Sequence, residues 1–323
     1  MSCGRTSLTP LIAMAKLIPS IETPIDEGLI GTPGDTEIEP PVETPGETET
    51  PVIPEDFNVE EKLARARALF AQDRADEARE LYTQILQHDG TVAIAHRDLG
   101  IIAYEEGSLA QAKKHLTDAE ALAPGDYDTL LRLGYVLDEL DEDTAAIERL
   151  DAAAKIKADD FDLFLKLAQL QEQEGRLSDA AQSYIKANQL DSSSHAVHLG
   201  LGEVYSTLGK QDSIYIDRAL GELDAAKAIN PDDYQAYNKK GFLLARYKND
   251  YNGAVQEWLK VIELLPNYAK AYRNVARAYY VLGRYDLCVQ TWETGMEKDP
   301  DYQPDERELA MVRDAREKAG GGG

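Results

Sequence analysis

The chain has 323 residues, 43% hydrophobic and 29% charged, and its 59 acidic against 34 basic residues give a formal net charge of −25. This charge argues against a nucleic-acid-binding protein, because an acidic surface repels phosphate, and no apolar run reaches the roughly 18 residues that a transmembrane helix needs. The two cysteines, Cys3 and Cys288, are too few for a disulfide framework or an all-cysteine metal site.

Residues 1–56 differ in composition from the rest of the chain. They contain nine of the 14 prolines and eleven acidic residues against two basic ones, Arg5 and Lys16, so this segment carries −9 and the remainder −16. Such a composition cannot bury enough apolar area to offset the entropy of ordering. We expect an extended, self-repelling tether.

The segment 8–21, LTPLIAMAKLIPSI, is the apolar exception within this tail. It fits the core of a signal peptide poorly, since Lys16 and Pro19 interrupt it. A short amphipathic piece, the remnant of a targeting segment and a docking peptide all remain open interpretations.

The first residues, Met1-Ser2-Cys3-Gly4, followed by an acidic tether, resemble the start of a bacterial lipoprotein after signal removal. That resemblance implies lipidation of Cys3 and contact with a membrane through that residue alone. The protein would then be a membrane-anchored structural or assembly subunit of a bacterial envelope complex. A cytoplasmic start explains the same residues, so both localisations remain open.

Small residues recur through the rest of the chain at nearly constant spacing. From residue 57 the sequence is rich in Ala, Leu, Glu and Lys at helical spacing, without strand-like alternation, which predicts an all-helical region. One series of small residues has four intervals of 34 residues, then one of 39 and one of 35. Its members are Ala66, Gly100, Gly134, Ala168, Gly202, Gly241 and Ala276. A period of this length is typical of stacked helical hairpins.

A second series of small residues follows the first by 12 positions in the first four units, with five and one extra residues in units five and six. Its members are Ala78, Ala112, Ala146, Ala180, Ala219, Ala254 and Cys288. Small side chains on both helices allow a close crossing. Large residues at a fixed place on the second helix are expected to fill the core: Tyr82, Leu116, Leu150, Tyr184, Leu223, Trp258 and Trp292.

The markers divide residues 57–302 into seven predicted units, which are 59–92, 93–126, 127–160, 161–194, 195–233, 234–268 and 269–302. Glycine is expected to end the first helix with a positive φ at Gly107, Gly175, Gly209 and Gly283. Residues 303–319 predict a C-terminal capping helix with Leu309 and Met311 facing inward, and residues 320–323 a disordered glycine tail.

The units resemble the tetratricopeptide repeat (TPR). The unit from Ala269 carries the family's pattern at Tyr272, Ala276, Tyr279, Gly283, Tyr285, Trp292 and Pro300, and departs from it at Cys288 and Gly295, where alanine is usual. The unit from Ala93 matches through Leu99, Gly100, Gly107, Ala112, Ala119 and Pro124. The resemblance covers about three quarters of the chain. It implies an all-α, right-handed superhelical solenoid whose first helices line a concave groove.

Six positions of each TPR unit face that groove in the family, and at the C-terminal end of this array they are mostly basic or amide residues. We predict partner-binding residues there at Asn238, Lys239, Arg246, Lys270, Arg273, Asn274, Arg277 and Tyr280. The middle of the groove is expected to be aliphatic and aromatic, with predicted partner-binding residues at Ile101, Tyr104, Leu131 and Tyr135.

Basic and amide side chains on facing turns suit a carboxylate or an acidic peptide. The expected function is therefore a non-catalytic scaffold or adaptor that binds a protein or peptide, with an acidic or C-terminal carboxylate segment at Arg273 and Arg277. The alternative is that these arginines merely balance neighbouring acids. The protein's own tail could also dock in its groove, or in that of a second copy, and give a homo-oligomer.

Residues that could carry chemistry are few. His195 and His198 have a spacing that could ligate a metal, but His96 and His198 occupy the usual aromatic position of the repeat, which favours packing. Cys288 occupies a small-residue position and is expected to be a buried structural thiol. The sequence contains no phosphate-binding loop, nucleophile elbow or HExxH motif. It predicts neither an enzyme, nor a metal site, nor a cofactor.

Overall fold

The computed structural model describes residues 57–320, which form fifteen α-helices and no strands. The helices are α1 (Val59–Phe70), α2 (Ala75–His88), α3 (Ala93–Glu105), α4 (Leu109–Leu122), α5 (Tyr127–Glu139), α6 (Asp143–Ile156), α7 (Phe161–Gln173), α8 (Leu177–Leu190), α9 (His195–Leu208), α10 (Ile214–Ile229), α11 (Tyr234–Leu243), α12 (Tyr251–Leu264), α13 (Ala269–Val281), α14 (Tyr285–Lys298) and α15 (Glu306–Gly320). A π-helical segment, Leu244–Lys248, continues α11.

The helices pack as consecutive hairpins. Each odd-numbered helix from α1 to α13 pairs with the helix that follows it, and each hairpin packs against the next. The first helices of neighbouring hairpins also touch: α3 contacts α5, α7 contacts α9 and α9 contacts α11. The first helices therefore line one face of the stack. The prediction of an all-α solenoid of stacked helical hairpins is confirmed within the described residues. The first helix of each predicted unit begins at the first residue of that unit.

Small and large residues face one another inside each hairpin. A Cβ added at Gly100 would lie 2.6 Å from Cγ of Leu116, and one at Gly134 would lie 2.6 Å from Cδ2 of Leu150. All seven large residues that the period placed on the second helices are buried. The missing side chain on one helix therefore makes room for the large one on its partner, and this complementarity repeats along the array.

We expect Gly134→Ala to lower the free energy of unfolding by about 1–2 kcal/mol, because the new methyl group overpacks the core against Leu150. Gly221→Ala is the matched control. Gly221 lies in the middle of α10 with no atom within 4 Å of an added Cβ, so helix propensity alone should stabilise that variant by up to about 1 kcal/mol. Urea unfolding of both proteins measures the two effects, and a stabilised Gly134→Ala protein would contradict the packing argument.

The two insertions in the repeat are accommodated differently. A comparison with unit two shows how the five extra residues of unit five are spread. In unit five, α9 has 14 residues, the connection 209–213 has five and α10 has 16. In unit two, α3 has 13 residues, the connection 106–108 has three and α4 has 14. The single extra residue of unit six coincides with the π-helical segment that ends at Asn249 in the left-handed region, φ 53°. One inserted residue widening a helical turn is the usual origin of a π-bulge.

Three of the four glycines predicted to end a first helix have a positive φ, namely Gly107, Gly175 and Gly283 at 71–73°. The prediction is wrong for Gly209, which has φ −61°. There the side chain of Ile216 packs directly against the Gly209 backbone, leaving no space for a Cβ. Gly209 serves close packing rather than an unusual backbone conformation.

The capping helix α15 is present, and Asp305 and Glu308 cap its first turn reciprocally. The backbone N–H of Glu308 donates to Asp305 Oδ1 at 2.8 Å, and that of Asp305 donates to Glu308 Oε2 at 3.2 Å, a capping box. The inward face consists of Glu308, Val312 and Ala315. Leu309, expected inward, is 45% exposed, because the α15 register turns Val312 rather than Leu309 to the core.

No helix within residues 57–320 is both long and apolar enough to span a lipid bilayer. The predictions for the tail, for the segment 8–21 and for Cys3 lie outside the described residues.

Candidate functional site

A pocket opens between α11 and α13 at the C-terminal part of the array, and we call it the groove-end pocket. It has a volume of about 230 Å³ and is lined by Phe242, Ala245, Arg246, Tyr251, Trp258, Asn274, Arg277, Ala278 and Val281. Typical small-molecule sites have roughly 300–1,000 Å³. The pocket is thus sized for one or two side chains of a partner rather than for a cofactor.

The apolar part of the groove-end pocket is partly open to solvent. Phe242 and Val281 are each 55% exposed, whereas Trp258 is 5% exposed and forms the base. The indole N–H of Trp258 donates to the backbone carbonyl of Asn238 at 3.3 Å. Exposed apolar side chains around a buried aromatic base are the arrangement that receives an anchoring side chain.

The π-helical segment contributes two of the lining residues, Ala245 and Arg246. Both residues lie inside this wider helical turn, which sets the direction of their side chains. Arg246 is exposed, and within residues 57–320 its guanidinium makes no ion pair or hydrogen bond. A guanidinium beside an apolar pocket is a ready donor for a carboxylate.

Arg273 and Arg277 lie at the same end but are already engaged by the chain's own C-terminal segment. Arg277 donates to Oε1 of Glu308, a carboxylate only 3% exposed. The guanidinium of Arg273 stacks on the Tyr302 ring at 3.6 Å and lies 3.5 Å from Asp299. The alternative interpretation, that arginines balance neighbouring acids, therefore describes both of these side chains in this structure.

The other residues predicted at this end divide into two groups. Tyr280 donates to Asp314 at 2.6 Å, and Lys239 pairs with Glu203 at 2.6 Å. Lys270, Asn274 and Asn238, like Arg246, have side chains without an ion pair or hydrogen bond within the described part of the chain, and Oδ1 of Asn238 is buried. Of this second group, the groove-end pocket brings together Arg246 and Asn274.

The middle of the groove is more polar than the sequence suggested. Ile101, Leu131 and Tyr135 are half-buried on α3 and α5, and the hydroxyl of Tyr104 donates to Glu139 at 2.5 Å. Further along, a depression of about 530 Å³ is lined by Lys166, Gln169, Glu172, Gln173 and Glu203. The expectation of an aliphatic and aromatic middle is therefore wrong for α7 and α9, where charged and amide residues occupy the groove positions.

Burial raises the pKa of the Glu172 carboxyl, and the neighbouring Glu203 carboxylate raises it further, while the Tyr184 hydroxyl, which donates to Glu172 at 2.9 Å, works in the opposite direction. The folded protein thus binds a proton at Glu172 more readily than the unfolded chain does. The resulting stabilisation is present below the unfolded-state pKa of Glu172 and is lost as pH rises through the higher folded-state pKa.

Glu172→Gln should accordingly raise the melting temperature at pH 7 by about 1–3 °C, because it removes the buried charge and keeps an acceptor for Tyr184. The gain should shrink towards pH 4, where Glu172 itself becomes protonated. Thermal melts over this pH range measure the effect, with Glu174→Gln, an exposed neighbour, as the control. A variant less stable than wild type at pH 7 would contradict this interpretation.

The remaining reactive residues lie away from the groove-end pocket or are buried. Cys288 is fully buried, as expected, and burial raises the pKa of its thiol to about 11. His195 pairs with Asp233 at 2.9 Å and His198 with Glu222 at 2.7 Å. The two histidines of α9 therefore do not share a ligand position.

Sequence reasoning selected Arg246, Asn274 and Arg277 among the nine lining residues of the groove-end pocket and missed the other six, which include Phe242, Trp258 and Val281. Phe242 and Val281 occupy groove positions of units six and seven by the same family rule that selected Arg246 and Arg277, so the signal was present in the sequence. The sequence placed Trp258 in the core, and this residue is indeed buried. That its ring also forms the base of a pocket follows only from the open space between α11 and α13.

Comparison with known proteins supports the repeat assignment. A family model for the tetratricopeptide repeat matches residues 63–127 and, in an overlapping register, 98–162. Protein STIP1 homolog of Dictyostelium discoideum is 35% identical over 81 residues, which are 25% of this chain and 14% of that protein. The chain therefore spans only a small part of this relative's length.

Solved structures share the architecture at low sequence identity. The C-terminal part of a TPR repeat-containing protein from Cytophaga hutchinsonii has a TM-score of 0.57 at 17% identity, covering 77% of this chain and 99% of that one. YrrB, described as a TPR protein with an unusual peptide-binding site, has a TM-score of 0.53 at 18% identity, and the match covers 59% of this chain and 95% of that one. The structure of Naa15/Naa10 bound to HypK-THB has a TM-score of 0.58 at 14% identity, and the match covers 80% of this chain and 39% of that one. The repeat register, the stacked hairpins and the family-model match support a tetratricopeptide repeat protein, and the solved structures share its fold.

Proposed function

We propose that this protein is a non-catalytic scaffold that binds a segment of a partner protein at the groove-end pocket, with an apolar side chain in the pocket and a single carboxylate at Arg246. The TPR fold and the family match support an interaction scaffold. The structures of YrrB, with its peptide-binding site, and of Naa15/Naa10 bound to HypK-THB give precedent for partner binding on this fold.

The observation that carries the proposal is the meeting of unpaired polar groups and exposed apolar groups in one pocket. Arg246 and Asn274 offer donors that no residue within 57–320 uses, beside the half-exposed Phe242 and Val281. Burying apolar area there provides affinity at roughly 25 cal/mol per Å². A charge-assisted hydrogen bond to Arg246 adds about 1.5–3 kcal/mol and fixes orientation.

Arg246 is a better carboxylate partner than Arg273 or Arg277. A ligand carboxylate at Arg277 must compete with the buried carboxylate of Glu308, and one at Arg273 must displace Tyr302 and Asp299. Arg246 requires no such exchange. Its position therefore moves the proposed anchor from the α13 arginines to the π-helical segment of unit six.

The net charge limits the chemistry of the partner. The protein carries −25 in total, so a polyacidic ligand would be repelled at long range even if its contact residues were basic. A segment with one carboxylate next to an apolar side chain, as at a free C terminus ending in Leu or Phe, fits both the pocket and the charge. The acidic tail of this chain is a less suitable occupant by the same reasoning.

The experiment is a selection of displayed random peptides with free C termini, followed by anisotropy titration of one selected peptide as acid and as C-terminal amide. We expect Arg246→Glu and Phe242→Ala each to weaken binding of the acid by at least about 10-fold. Arg65→Glu, the same charge change at an exposed arginine on α1 that is unpaired within 57–320, is the control. Equal affinities of acid and amide, or equal losses from Arg246→Glu and Arg65→Glu, would refute the carboxylate anchor.

Anchoring through Cys3 remains a separate prediction, because that residue lies outside the described ones. The intact mass of the protein from its native cells tests it. A lipid adduct on a chain beginning at Cys3 would establish the lipoprotein, and an unmodified chain would exclude it. Neither result bears on the groove-end pocket.

A further inference from the structure

Three metal-ligating side chains meet on unit two, far in sequence from the groove-end pocket. His96 lies in the first turn of α3, and His115 and Asp118 lie three residues apart on α4. Nδ1 of His96 is 3.3 Å from Nδ1 of His115 and 3.7 Å from Oδ2 of Asp118. One ligand atom from each of the three residues lies within 4.8 Å of the other two.

The second nitrogen of His96 determines its tautomer. Nε2 lies 3.2 Å from the backbone carbonyl of Gly90, and a bond to that acceptor requires the proton to be on Nε2. Nδ1 then presents a lone pair towards His115 and Asp118. A histidine that donates its other N–H to a backbone carbonyl is the usual outer-shell arrangement of a metal ligand, since the bond fixes the orientation of the ring.

Unit five provides an internal comparison. His198 is the counterpart of His96, and its Nε2 lies 3.2 Å from the carbonyl of Ser192, also six residues before it. The counterpart of His115 there is Glu222, which pairs with Nδ1 of His198 at 2.7 Å, and that of Asp118 is Ala225. Unit five therefore presents a single acceptor to its histidine. Unit two instead places a second imidazole and a carboxylate there.

We propose that His96 Nδ1, His115 Nδ1 and Asp118 Oδ2 bind a divalent ion of the zinc class, with one coordination position left open. In a tetrahedral site with bonds of about 2.0 Å, two ligand atoms lie roughly 3.3 Å apart, which is the separation of the two histidine nitrogens. Oδ2 of Asp118 lies 3.7 Å from Nδ1 of His96, and this side chain is 43% exposed, so its carboxylate is free to rotate towards the two histidines.

The donor set also selects the ion. Two imidazoles with one carboxylate suit Zn²⁺, Co²⁺, Ni²⁺ or Cu²⁺, whereas Ca²⁺ and Mg²⁺ prefer oxygen ligands alone. All three ligands come from one hairpin, so binding would tie α3 to α4. The sequence predicted no metal site because His96 and His115 are 19 residues apart and belong to different helices.

The experiment is a titration of the full-length protein with Co²⁺, monitored by visible absorption, and then competition with Zn²⁺. We expect one equivalent to give the intense d–d bands of four-coordinate Co²⁺, and Zn²⁺ to displace it. Co²⁺ bound octahedrally by carboxylates elsewhere on the acidic protein gives only weak absorption bands, and such bands are not evidence for the proposed site. Because Cys3 could contribute a thiolate, the titration is repeated with Cys3→Ser, which should leave the spectrum unchanged.

Variants assign the ligands. His115→Ala and Asp118→Asn should each weaken Co²⁺ binding by about 100-fold or more, and His88→Gln, an exposed histidine outside the cluster, should not. Circular dichroism checks that each variant folds. If His115→Ala does not fold, the more conservative Asp118→Asn still tests the site. Absence of four-coordinate bands in wild type, or retention of the same affinity in Asp118→Asn and His115→Ala, would overturn the proposal.

Discussion

Replacing Asp98 by alanine is expected to lower the free energy of unfolding by about 2–4 kcal/mol. Asp98 is 6% exposed and accepts hydrogen bonds from the Tyr82 hydroxyl at 2.9 Å, from Arg67 at 3.2 Å and from Arg97 at 2.9 Å. Its removal leaves a fully buried hydroxyl without its acceptor and two guanidinium groups without their shared carboxylate. The buried Tyr82 hydroxyl and the largely buried Arg97 account for most of the cost, because the side chain of Arg67 is 48% exposed and that of Arg97 only 15%.

Urea unfolding measures this effect, and a double-mutant cycle with Tyr82→Phe separates the hydroxyl's share from that of the arginines. Asp128→Ala is the control, because Asp128 lies 3.9 Å from Arg97 but is 63% exposed. It should change stability by no more than about 0.5 kcal/mol. Equal effects of the two aspartate variants would mean that the buried network contributes nothing beyond an ordinary surface ion pair.

Arg277→Glu is expected to release the capping helix while the rest of the array stays folded. The new carboxylate would face Glu308, whose own carboxylate is buried and would lose its cation. A buried charge left unpaired costs roughly 3–5 kcal/mol; the half-exposed arginine and the Tyr302 and Asp305 bonds to Glu308 reduce this to about 2–3 kcal/mol. Repeat arrays lose terminal elements separately.

Hydrogen exchange followed by mass spectrometry tests this outcome. Amides of α15 should lose protection by about 30-fold or more in Arg277→Glu, the equivalent of about 2 kcal/mol, whereas α1 to α12 should not change. Arg246→Glu, which reverses a charge in the same pocket without touching α15, should leave all helices protected. Unchanged protection of α15 in Arg277→Glu would show that the Arg277–Glu308 pair does not hold the cap.

The sequence predicted the fold well because each unit repeats the same local constraints. The spacing of small residues such as Gly134 and large ones such as Leu150 specifies which helix faces meet, and seven copies make the register unambiguous. The exceptions arise where the period changes. The residue inserted in unit six became a π-helical turn and those in unit five were shared between a loop and two helices, and neither result follows from counting residues.

The candidate site was harder to predict, since it depends on contacts between distant segments. The position rule selected Arg246, Arg273 and Arg277 alike, because it considers one helix at a time. Their difference comes from Tyr302 and Glu308, which reach them from the C-terminal segment. The histidine cluster escaped notice for the same reason: the pairing of His96 with His115 is a property of the hairpin and not of either helix.

The central claim, that a partner segment occupies the groove-end pocket, can be tested with the two tryptophans of the chain, Trp258 and Trp292. Trp258 forms the base of the pocket, whereas Trp292 packs with Val312 and Ala315 beneath the capping helix. The measurement is the ¹H–¹⁵N indole spectrum during titration with a selected peptide that has a free C terminus. We predict that the Trp258 resonance shifts in proportion to occupancy while that of Trp292 stays in place. Saturable binding that leaves the Trp258 resonance unchanged would contradict the account.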